Sequence, residues 1–100
     1  MSWLVLLRPV RPELPVDPTE EESRIVGEHY EYLQRLCREG KLVLAGPSHV
    51  EIGDTIGICV YDVEDEAEVR ALVAADPALV NGVMTAELRP LRISVRWTVP

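Results

Sequence analysis

The sequence predicts an α+β domain in which four strands and two helices follow one another in the order β-α-β-β-α-β. Three observations carry this expectation. Apolar runs of strand length, bounded by Gly and Pro, begin at Trp3, Lys41, Thr55 and Val83. Two stretches with apolar residues at helical spacing, each opened by a cluster of carboxylates, lie between the first and second and between the third and fourth of these runs. The chain is 100 residues long, 47% hydrophobic and 27% charged, which suits one globular domain over residues 1–100.

Each element has a local reason. β1 (Trp3–Leu7) is a run of strand formers, expected to be buried on both faces. Arg8–Pro18 contains Pro9, Pro12, Pro15 and Pro18, which forbid a helix and a regular ladder, so the segment is an extended loop. α1 opens at Thr19, where Glu22 completes a capping box and Glu20, Glu21 and Glu22 suit the positive end of the helix dipole. It runs to about Glu39, and Gly40 supplies the left-handed residue that ends it. Its apolar positions are Ile25, Val26, Tyr32, Leu33, Leu36 and Cys37. β2 (Lys41–Ala45) stops at Gly46-Pro47, and a polar connection spans Ser48–Asp54. β3 (Thr55–Tyr61) places Ile56, Ile58 and Val60 on one face, and Gly57 on the other leaves room for a close approach, most simply by a packed helix. α2 (Glu64–Ala75) is capped by Asp65 or Asp62 and turns Ala67, Val69, Ala71, Leu72 and Val73 inward. Asp76-Pro77 breaks it and opens a short turn, with Asp76 as its cap and Gly82 at its end. β4 runs from Val83 to about Trp97, with Pro90 marking a bulge or edge stretch.

This order is the split βαβ, or ferredoxin-like, arrangement: a four-stranded antiparallel sheet with both helices on one face. The other face would be bare, yet β1 and β3 carry apolar residues on both sides. A large exposed apolar patch is unfavourable in a soluble monomer. The expected solution is a homodimer through the open sheet face.

Composition narrows the function. With 10 Lys+Arg against 17 Asp+Glu the net charge is −7, so the chain lacks the cationic surface that binds phosphate backbones, and nucleic acid is not an expected partner. Arg89, Arg92 and Arg96 cluster near the C-terminus but read as a solvated strand face. No apolar run exceeds six residues, so no membrane partner is expected, and the N-terminal run lacks the form of a signal peptide. The two cysteines, Cys37 and Cys59, read as reduced core thiols, and a cytoplasmic protein is expected.

The unusual residue is His29. Helix residues advance by roughly 100°, so with Ile25 at zero, Leu36 lies near 20°, His29 near 40°, Leu33 near 80° and Val26 near 100°. His29 therefore sits within the apolar stripe of α1, aimed at the sheet. An imidazole there needs a hydrogen-bond partner, for which Asp76, Asp54, Glu51 and Ser48 are candidates that periodicity cannot choose between. A carboxylate beside it would fix its tautomer and suit it to general acid–base work; a backbone carbonyl would make it a satisfied core histidine. Asp76 is also accounted for as a helix cap alone. His49 with His29, Glu51 and Asp54 matches no zinc spacing, so no metal is expected. No Gly-rich phosphate loop and no nucleophile elbow are present, and no cofactor is expected.

The stretch from His29 through Leu36-Cys37-Arg38-Glu39-Gly40-Lys41-Leu42 to Ala45-Gly46-Pro47 resembles the first half of YCII-related domains, and Asp76-Pro77 followed by Gly82 resembles their second signature. Order and spacing agree from β1 to about Arg92. The resemblance implies a dimeric α+β barrel and an enzymatic role for a histidine and an aspartate, which fall here on His29 and Asp76. It further implies cofactor-free proton-transfer chemistry on ring compounds, such as muconolactone isomerisation or elimination of chloride. The proline-rich Arg8–Pro18 loop and the Ser48–Asp54 segment both stand where they could line a pocket, with Ser48, His49 and Asp54 as expected substrate contacts.

Two functions of different class follow. One is a small cofactor-independent enzyme in which His29 and Asp76 carry out isomerisation, elimination or lactone-type hydrolysis on a small molecule, with a monooxygenase-like role as a lesser variant. The other is a non-catalytic dimeric module that binds a small molecule or a protein, with His29 in the core and Asp76 only a cap. A pocket bordered by both residues separates them.

Overall fold

A computed structural model describes residues 1–48 and 53–98. The elements are β1 (Ser2–Pro9), α1 (Glu20–Arg38), β2 (Leu42–Ser48), β3 (Ile56–Asp62), α2 (Glu66–Ala74), a short α3 (Pro77–Val80) and β4 (Met84–Leu91). The strands form one antiparallel sheet in the order β2-β3-β1-β4. The βαββαβ order is the expected one, and the segment after Asp76 is a helical turn within the second crossover.

The two central strands are the most apolar; of the three prolines in the sheet, Pro9 ends the central strand β1, and Pro47 and Pro90 fall on the edge strands. Pro47 lies in β2 opposite Gly57, and Pro90 in β4 opposite Trp3. An edge position tolerates a residue without an N–H, so Pro90 does not interrupt the ladder. β4 instead ends at Leu91, short of the expected Trp97. Beyond Leu91 the chain has no strand partner among the described residues, and Val95 and Trp97 are exposed. Alternation alone cannot make a strand where no neighbour supplies hydrogen bonds.

Trp3, Val5 and Leu7 of β1 face the helices and are buried with Cys59 and Tyr61 of β3 and Leu33 and Leu36 of α1. Leu4 and Leu6 point the other way and are half-buried, so β1 is not buried on both faces within one chain. The Gly57 site is close-packed by a strand rather than a helix: a Cβ there would come within 3.2 Å of the Leu7 Cβ.

α1 is set by its ends as the sequence predicts. Thr19 Oγ1 accepts from the Glu22 N–H at 3.1 Å, and Glu22 Oε1 accepts from the Thr19 N–H at 2.9 Å. Gly40 ends the helix with φ +75°. The buried stripe is Ile25, His29, Tyr32, Leu33 and Leu36. Cys37 is exposed, contrary to the expectation of a core thiol, because its helical phase lies outside that arc. In α2, Asp65 rather than Asp62 is the cap, and only Val69 is fully buried; Ala67 and Ala71 face outward. Tyr32 ties the helices together by donating its hydroxyl to the Leu72 carbonyl at 2.5 Å.

Candidate active site

The site is built where α1 passes the junction of α2 and α3. His29 is 4% exposed, held by its helical phase among Ile25, Leu33 and Leu36. Asp76 is 2% exposed and caps α3: its Oδ1 accepts from the Ala78 N–H at 2.9 Å, with Pro77 in the first turn. The cap fixes the carboxylate, and the carboxylate in turn meets the imidazole. His29 Nδ1 lies 2.7 Å from Oδ1 and 2.8 Å from Oδ2 of Asp76. Of the candidate partners, then, it is Asp76 that reaches His29, and its capping role and its contact with the ring coexist.

The contact defines the ring chemically. With Nδ1–H donated to the carboxylate, the neutral tautomer leaves the lone pair on Nε2. Nε2 has no hydrogen-bond partner among the described residues, yet no buried side-chain nitrogen or oxygen there lacks a partner. Nε2 is therefore open to the cavity that His29 lines.

That cavity has a volume of about 500 Å³. One wall is α1, through Ser23, Val26, Gly27 and Tyr30; the floor is the sheet, through Ala45, Pro47, Gly57 and Met84. The third wall is the proline-rich loop, through Leu14, Pro15 and Pro18. Leu14 is buried, a role the sequence reading missed, although a lone leucine among prolines was an available signal. The loop is fastened by Arg11, whose Nη2 lies 2.7 Å from Glu22 Oε1 and 2.5 Å from the Asp17 carbonyl. The hydrogen bond from Arg11, with the Thr19 N–H behind it, holds the Glu22 carboxyl down at about 2. Glu22 thus serves both the capping box and the loop, and only the first role was visible in the sequence.

Three buried groups nearby, Cys59, Tyr32 and Tyr61, are pushed toward their neutral forms. Burial, reinforced by the charge of Asp76, pushes the Cys59 thiol up to about 12, so it is no thiolate nucleophile although it borders the cavity. Burial and then Asp76 also raise the Tyr32 phenol, and burial, Cys59 and Asp76 raise that of Tyr61. The Tyr30 ring lies 5.4 Å from the imidazole centroid, tilted by 46°, with its side chain at the cavity wall.

The expected substrate contacts are placed differently. Ser48 is exposed at the end of β2, opposite Ile56, and Asp54 lies in a separate, smaller groove with Arg8, Pro12 and Gly53. Neither lines the His29 cavity; their neighbours Pro47 and Thr55 do. Local sequence places a loop near a site but not its side chains within it. His49 and Glu51 lie outside the described residues. Among the described residues no group of three or more His, Cys, Asp or Glu side chains is arranged to hold a metal ion, and no helix is long and apolar enough to cross a membrane.

Solved structures share this architecture. Muconolactone isomerase superposes with a TM-score of 0.70 at 20% identity, covering 100% of this chain and 98% of that one. The 5-chloro-2-hydroxyhydroquinone dehydrochlorinase of Burkholderia phenoliruptrix AC1100, solved in complex with 2,5-dihydroxybenzoquinone, gives 0.69 at 20% identity, covering 92% of this chain and 94% of that one. At such identity the likeness establishes the fold. No curated protein matches the sequence. The model of the YCII-related domain matches residues 1–92, and the chain belongs to that family.

Proposed function

We propose that this protein is a small acid–base enzyme in which Nε2 of His29 takes a proton from, and returns it to, a small molecule held in the 500 Å³ cavity. The observation that carries the reading is the ring's asymmetry: Nδ1 is held by both oxygens of a buried carboxylate, while Nε2 has no hydrogen-bond partner among the described residues and the ring lines the cavity. Asp76 is a positioning residue. It fixes the tautomer and stabilises the imidazolium that forms when the proton arrives, a division of labour familiar from histidine–carboxylate pairs. In an isomerisation the proton returns to a different carbon. In an elimination the C–H electron pair forms the double bond, the leaving group departs with its own electrons, and His29 passes the proton to water. The isomerase and dehydrochlorinase that share the fold support this class of reaction.

The test is turnover of a panel of lactones and halogenated ring compounds. Replacing a positioned acid–base group costs about 10²–10⁴-fold, so His29→Gln should lose that much in kcat on any accepted compound. An unchanged rate removes His29 from the mechanism and favours the binding-module reading.

The reading includes a homodimer. The sheet face away from the helices carries Leu4, Leu6 and Val60, all half-buried in one chain, and Leu44 at 52% exposure. Along β4 the same face turns polar, with Glu87 between Arg8 and Arg89 at 3.0 and 2.6 Å. An apolar area with a charged border is the anatomy of an interface. Sedimentation should show a dimer at micromolar concentration and a monomer for Leu6→Lys; a native monomer refutes the pairing.

A further inference from the structure

We infer that the His29 cavity selects electrically neutral ring compounds bearing a weakly acidic C–H or O–H, and rejects carboxylates of the same size. The inference rests on the acid–base reading of that cavity and adds the class of molecule it takes.

The cavity wall decides the point. Among the described residues its lining contains no Lys, Arg, Asp or Glu side chain, and the sequence of residues 49–52 includes no Lys or Arg. The arginines closest in sequence to the loop wall are committed elsewhere: Arg11 to Glu22 at 2.7 Å and Arg8 to Glu87 at 3.0 Å. A carboxylate entering this space would exchange water for Val26, Leu33, Pro47 and Met84 without meeting a fixed cation. It would also approach the buried charge of Asp76 behind the ring, in a protein whose net charge of −7 already repels anions.

A neutral acid meets none of these penalties. Its proton moves to Nε2 while the electron pair of the broken bond stays on the substrate. The enolate or phenolate so formed lies against the new imidazolium, and the imidazolium lies against Asp76. The number of charges inside the cavity rises only as an adjacent opposite pair, the arrangement that survives in an apolar site. Pro15, Pro18 and Tyr30 bring rings to the lining, and a volume of about 500 Å³ holds one or two planar rings.

Binding of matched pairs tests this without reference to turnover: methylhydroquinone against gentisate, and naphthol against naphthoate, by calorimetry at neutral pH. The Hε1 resonance of His29, assigned with His49→Gln, reports whether the compound is in the cavity. The neutral member of at least one pair should move that resonance and bind about tenfold or more tighter than its carboxylate. Ser23→Arg, which sets a guanidinium at the exposed rim, should narrow or reverse the preference. Carboxylates that bind as tightly as their neutral partners overturn the inference, and so does a His29 resonance that no neutral compound moves. A His29→Gln variant that keeps full turnover sinks the acid–base reading instead and leaves the measured preference standing.

Discussion

Two hydrogen-bonded side-chain pairs frame the cavity, His29 with Asp76 and Arg11 with Glu22, and they differ most in burial. His29 and Asp76 meet at 2.7 Å with side chains 6% and 2% exposed. Arg11 and Glu22 meet at the same distance, but Arg11 is 38% exposed and Glu22 12%. The first lies under the cavity and the second fastens the loop that walls it. A buried pair is held by the cost of separating it, since either partner alone would be a charge or polar group without compensation. A pair at the surface is screened by water and contributes little by itself. The inner pair is thus suited to hold one geometry in the core, and the outer to fasten the loop at the surface.

Breaking the inner pair should have the larger effect. His29→Ala strands the Asp76 carboxylate in the core and is expected to cost about 3–5 kcal/mol in urea unfolding. Asp76→Asn keeps an oxygen for the Ala78 N–H and should cost less, about 1–3 kcal/mol, while releasing the tautomer of the ring. If both variants unfold at the native midpoint, the pair is not the anchor described here. The outer pair should respond more weakly. Arg11→Ala is expected to change stability by about 1 kcal/mol or less. Its larger signature should be faster hydrogen exchange in the loop and at the amide of Leu14, whereas exchange as slow as in the native chain would show the prolines hold the loop unaided.

Acid sharpens the contrast. Glu22 has its carboxyl near 2 in the folded chain, below the usual carboxylate value of 4.5. A depressed folded value contributes stability above the unfolded value and loses it as protons bind. The loop contact should therefore be intact above pH 4.5 and weaken progressively as pH falls toward 2. Glu22→Gln should remove that part of the acid response, and an acid profile identical to the native one would show that Glu22 takes no part.

Much of this molecule was legible in one dimension. The capping box at Thr19, the stop at Gly40, the Asp76-Pro77 break and the inward phase of His29 are local properties, set by a few neighbouring residues and the period of the helix. Cys37 shows the limit of that reading. An apolar residue at the margin of a helical stripe is buried or exposed according to what packs beside it, and Cys37 is left exposed. The end of β4 shows the same limit, because a strand exists only where another strand accepts its hydrogen bonds.

What the sequence determined by itself, then, was the set of elements and the direction in which one imidazole points. Which carboxylate that ring meets depended on the folded core, since Asp76 is 47 residues away and is delivered by the sheet register and the packing of α3. The closing of the core also set the proline-rich loop, fastened by Arg11, as a wall of the cavity through Leu14, and left Ser48 and Asp54 outside that lining. Helical phase follows from the geometry of bonds within a few residues. The meeting of remote side chains follows from the closing of the whole core, which no short window of sequence contains.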